Sequence, residues 1–163
     1  MAAYTFLTVH RLPVAAMVVA LAELVGVTAA EVDIADESGR HRDWAAAVLC
    51  DRMSLAGDLA LAWDVHVSPR VGPAPPPEAE AALRLAARLG TTVLHPADGV
   101  RPSAYWAATP DGFRTRARVL DGAGGGGKDV DGRPVFTADA VEKAVAQLPR
   151  ARVERIVEAR QDG

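Results

Sequence analysis

Cysteine is nearly absent: Cys50 is the only one in 163 residues. A single thiol excludes an internal disulfide and any metal site built from several cysteines. Lysine is scarce too, with two against sixteen arginines, while alanine fills thirty-three positions. That skew reads as the codon bias of a GC-rich, bacterial genome. Arginine content alone therefore says little about phosphate binding, and the placement of the arginines says more. There is no basic excess, since 18 basic and 21 acidic side chains leave a net charge of −3. A general nucleic-acid binder carries a basic surplus, so that class is excluded. No apolar run reaches the roughly 20 residues of a membrane span. The most apolar stretch, Leu12 to Val27, is broken by Glu23. It follows the strand-like Tyr4–Val9 and not the basic start of a signal peptide. The expected location is cytoplasmic, with no membrane partner. Four histidines are scattered without a helical i, i+4 pair, so no metal is expected.

What is present suits a folded chain. Hydrophobic residues make up 50% and charged residues 24%, close to the globular average. A chain of this length buries roughly two-thirds of its extended surface, enough for a core without metal or disulfide. The expectation is one α+β domain over residues 1–163, a mainly antiparallel sheet with two or three helices packed on it.

Local patterns place the elements. Tyr4 to His10 is a short strand. Pro13 opens a helix that Gly26 ends, and its apolar residues run nearly all round, which predicts burial on more than one side. Val32–Ala35 and Ala46–Met53 read as strands. Leu59–Val67 alternates, with Leu59, Leu61, Trp63, Val65 and Val67 on one face and Asp64 and His66 on the other. A proline-rich connector leads to a second helix, with Pro77 at its start, Glu78 and Glu80 in its first turn, and Gly90 past its end. Thr92–His95 is another strand. Ala104–Thr109 and Phe113–Leu120 form a hairpin about Asp111-Gly112. Residues 121–134 are glycine-rich, which predicts a mobile loop. Thr137 suits the N-cap of a third helix over Ala138–Leu148. Arg152–Glu158 fits either a helix or an edge strand. The two halves rhyme weakly, since each helix is entered through proline and left through glycine into a strand.

Few motifs carry chemistry. Gly122–Lys128 fits the start of a phosphate-binding loop, but Asp129 stands where a hydroxyl residue should hold magnesium. Asp129–Gly132 resembles part of a calcium loop whose first and last ligands are missing. No cofactor is expected. Cys50 lies in an apolar strand, where a lone thiol is usually inert. Asp64 and His66, two apart on one strand face, suit a base and its orienter, and His10 and His95 each end a strand. These four are the acid–base candidates if the chain is a small enzyme.

The hairpin is the most informative feature. A two-residue turn at Asp111-Gly112 would pair Tyr105 with Arg118, Ala107 with Arg116 and Thr109 with Arg114. One face would then carry Tyr105, Arg114, Arg116 and Arg118, able to clamp a carboxylate or phosphate. Since no catalytic motif is complete, the expected function is a non-catalytic interaction domain, for example a regulatory or neutralising partner protein, that holds an acidic protein on this face. The alternatives are the small enzyme and a small-anion sensor.

Overall fold

The computed structural model describes residues 2–35, 42–97, 102–121 and 127–156. The fold is α+β, with two α-helices and one mixed, ten-stranded sheet. The strands are β1 (Ala2–Thr8), β2 (Val32–Ala35), β3 (Val48–Ser54), β4 (Ala56–Gly57), β5 (Leu61–Val67), β6 (Val93–Pro96), β7 (Ala104–Ala108), β8 (Arg114–Leu120), β9 (Val135–Val141) and β10 (Arg152–Val153). They run in the order β10-β9-β8-β7-β6-β1-β5-β3-β2. Neighbours are antiparallel except β2 with β3 and β10 with β9; β4, off this path, pairs parallel with β9.

One face of the sheet takes the helices. Phe6 of β1 lies opposite Trp63 of β5, and Val65 opposite Cys50 of β3, so these side chains share the helix side. The alternation of β5 becomes burial, with Leu61, Trp63, Val65 and Val67 inside and Asp64 and His66 exposed. The Trp63 indole donates to the Thr8 hydroxyl at 3.2 Å, so its one polar atom is satisfied in the core. Helix α1 (Val14–Val25) and helix α2 (Glu78–Leu89) cover this side. α2 buries Ala81, Ala82, Leu85 and Ala86, close to the stripe its sequence predicts. α1 is apolar all round yet leaves Val14 and Val19 exposed, so its outer side is not covered as expected.

The other side of the sheet has a second core around Leu7, Leu59, Leu94, Ala107, Ala117 and Val141. It is closed by β4 reaching β9. Ala56 donates to the Pro134 carbonyl and Asp58 to the Phe136 carbonyl, both at 2.9 Å. Gly57 lies between them at φ +92°, and a Cβ there would run into the Phe136 carbonyl oxygen. The Asp58 carboxylate also accepts the Ala138 amide at 3.0 Å.

Two further expectations change. The third helix is absent, because residues 135–141 form strand β9 and 142–151 a series of turns. Ala138, Ala140 and Val141 have good helix or neutral propensity, but the open edge of β8 offers a full ladder of backbone partners, and tertiary pairing overrides propensity. The hairpin register is also shifted by one. Trp106 lies opposite Arg116, Ala108 opposite Arg114 and Tyr105 opposite Ala117. Thr109 and Phe113 close a three-residue loop with Gly112 at φ +96°. A type I turn followed by a left-handed residue is the usual three-residue hairpin, and proline is favoured at its first position. The glycine-rich stretch 122–126 lies outside the described residues. Beyond it, 127–134 make a tight turn in which the Asp129 carboxylate accepts from Asp131 and Arg133 amides at 3.1 and 2.8 Å. Of 152–158, residues 152–153 form the edge strand β10.

Candidate functional site

The shifted register makes a row that the two-residue turn would have scattered. His95 of β6 lies opposite Trp106 of β7, and Trp106 opposite Arg116 of β8. Partners in such pairs point to the same face, here the helix side. Strands are about 4.8 Å apart, so the row steps outward from under α2 toward open sheet. Trp106 is half-buried and Arg114 exposed. Two guanidiniums lie over the Trp106 ring, Arg114 at 4.6 Å and Arg116 at 4.9 Å from its centroid. Each contact is worth about 0.5–1 kcal/mol at an exposed site and holds a flexible side chain in place. Arg114 has no carboxylate partner among the described residues.

Proline shapes the buried end of the row. Leu7 pairs with Leu94 and Thr8 with Val93, and the β1–β6 ladder stops there. Extending it would set Thr5 opposite Pro96, which has no N–H to give. The groups released find other partners. The Thr5 amide donates to Glu78 Oε2 at 3.0 Å, at the start of α2. The Pro96 carbonyl lies 3.2 Å from His95 Nδ1. A carbonyl only accepts, so Nδ1 carries the hydrogen. Glu78 Oε1 is 3.5 Å from the same nitrogen. His95 Nε2 is then left without a partner, the only buried side-chain nitrogen or oxygen so placed among the described residues.

The remaining sequence candidates separate. Arg118 is taken up internally, with Asp139 at 2.8 Å and Glu154 at 2.9 Å. Asp139 is the extra residue where the β8–β9 register shifts, and such bulges re-aim a side chain. The Arg118 hydrogen bonds hold the Asp139 carboxyl below its usual range, and the same bonds push the guanidinium up. Tyr105 is on the opposite face from the arginines, packed on the second core; burial pushes its hydroxyl up, with Asp121 and Glu78 adding to the effect. This corrects the expected four-residue cluster, and the physical reason is the one-residue shift, which sends Tyr105 through the sheet. His10 is exposed at the far end of β1, 3.0 Å from the Thr91 hydroxyl. Asp64 and His66 do share a face, but it is the exposed, helix-free one. Cys50 is fully buried and its thiol is pushed up to about 12, mainly by burial. No group of three metal-ligating side chains exists among the described residues.

Trp106 and Glu78 were not read from the sequence as site residues. The signal for Trp106 was Pro110 before Asp111-Gly112, which points to the longer loop and hence to the other register. Glu78 carried no such signal, because its role depends on a ladder that ends at Pro96. The assembled face offers the exposed Arg114 guanidinium, stacked with that of Arg116 on the Trp106 indole, and guanidiniums recognise carboxylates. No family model, curated protein or solved structure matches this chain. No helix among the described residues is long and apolar enough to cross a membrane.

Proposed function

We propose that this chain is a non-catalytic binding domain that holds an acidic protein segment on the sheet face formed by Trp106, Arg114 and Arg116. The single observation that supports this is the double stacking of Arg114 and Arg116 on one indole, at 4.6 and 4.9 Å. Stacking fixes the guanidiniums before a partner arrives, which lowers the ordering cost of binding. Trp and Arg are also the residue types that dominate interface energetics. Arg118, on the same face, is bound by Asp139 and Glu154 and is left out of the proposed contact. The acid–base alternative has the least support, since Asp64 and His66 share the helix-free face of β5, His10 stands apart beyond the end of β1 and His95 is enclosed.

The test uses a fluorescein-labelled oligoglutamate peptide followed by anisotropy. Wild type should bind it in a salt-sensitive way. Arg114→Glu with Arg116→Glu should weaken binding by more than about tenfold, the usual scale for reversing charges at a contact. Circular dichroism checks folding, and the milder Arg114→Met replaces the double variant if that one melts. Unchanged affinity in a folded variant refutes the site. Competition by free phosphate or citrate, with no binding of the peptide, would move the reading to a small-anion sensor.

A further inference from the structure

We infer that the acidic segment held by the Trp106–Arg114 face belongs to a second copy of this chain, so that molecules associate head to tail. This rests on the function proposed above and names its partner.

Two exposed charges that lack an opposite charge among the described residues, Arg114 and Asp64, stand far apart on the sheet. The stacked arginines are on β8, toward one edge and on the helix side. Asp33, Asp51 and Asp64 are on β2, β3 and β5, toward the other edge and on the helix-free side. Asp51 and Asp64 are direct cross-strand partners. Like charges set opposite each other destabilise a sheet, so the fold gains nothing from this pair.

Arg42 is the only cation among the described residues paired with these three carboxylates, and it reaches two of them, Asp33 and Asp51. It binds Asp33 Oδ2 at 3.2 Å, the Asp51 carboxylate, and the Cys50 carbonyl at 3.0 Å. Among the described residues Asp64 receives only the Thr5 hydroxyl, at 3.4 Å. Thr5, Asp51 and Asp64 are exposed. Among the described residues no cation is paired with Asp64, and at the opposite edge no carboxylate is paired with Arg114. Neither can reach the other within one molecule, because they lie on opposite sides of the sheet and several strands apart. Between two molecules they can meet. The two patches differ, so the contact is heterologous, and each molecule in a pair keeps one patch unused.

The experiment is sedimentation velocity over a concentration series at about 20 mM and about 500 mM salt, conditions that bracket strong and weak screening. Wild type should self-associate at low salt and dissociate at high salt. Two variants each remove one patch without reversing it: Arg114→Gln with Arg116→Gln, and Asp64→Asn. Each alone should associate at least about tenfold more weakly than wild type. Mixed together they should form a 1:1 dimer that grows no further, since the first retains the acidic face and the second retains the basic one. A merely misfolded variant could not rescue its partner in this way. Wild type that stays monomeric at low salt overturns the inference, as does a mixture no more associated than its components. If monomeric wild type still binds the oligoglutamate peptide through Arg114, the proposed function survives and only the second copy is lost.

Discussion

Replacing Gly57 with alanine tests how the second core is closed. Gly57 sits at φ +92°, where a side chain strains the backbone. That conformation alone costs a non-glycine residue about 1–2 kcal/mol. The new Cβ would also meet the Phe136 carbonyl oxygen, a backbone atom that cannot turn aside. β4 must then move off β9, and the Ala56–Pro134 and Asp58–Phe136 hydrogen bonds, both 2.9 Å, are lengthened or lost. Each contributes about 1 kcal/mol net, so the total loss should be about 3–4 kcal/mol. Gly112→Ala is the internal control, because Gly112 has φ +96° but open space around its Cβ position. It should lose only the backbone cost, about 1–2 kcal/mol. Urea denaturation of both variants measures the difference. Hydrogen exchange at the Ala56 and Asp58 amides shows whether it arises at β4. Equal losses in the two variants, or unchanged protection at those amides, would refute the steric argument.

Other outcomes follow from single contacts. Cys50 should not react with a thiol reagent at about pH 8, half a unit below an ordinary thiol, and should react fully in denaturant, because burial pushes it up to about 12. Gln147→Ala should cost about 1–3 kcal/mol in thermal or urea unfolding, since the Gln147 side-chain carbonyl accepts both the buried Thr92 amide at 2.6 Å and its hydroxyl at 2.8 Å. Arg118 holds the Asp139 carboxyl low, so their interaction is complete above the unfolded carboxylate range near about pH 4 and fades as pH falls through the lower folded value. The difference in Tm between wild type and Arg118→Met should therefore shrink on acidification from neutral pH, and a constant difference would show that Asp139 is not the partner that matters.

Local sequence determined the pieces whose physics is local. Pro77 before Glu78 and Glu80, with Gly90 beyond, is enough to start and stop α2. The alternation Leu61, Trp63, Val65, Val67 against Asp64 and His66 is enough to make β5 a half-buried strand, but Leu59, expected on the same face, precedes the strand and packs in the second core. The existence of the β7–β8 hairpin was legible, and so was the common face of Arg114, Arg116 and Arg118. What lay beyond was decided by partners distant in the chain. Ala138 to Val141 are a strand because β8 has an edge to fill, not because of their own preference. Trp106 joins the arginines because one residue of loop moved every side chain of β7 to the other face. Glu78 binds the Thr5 amide because Pro96, eighteen residues further on, cannot continue a ladder. Periodicity and capping act within a few residues and can be read along the chain; register, bulges and the rescue of unpaired backbone groups arise only when separate strands meet.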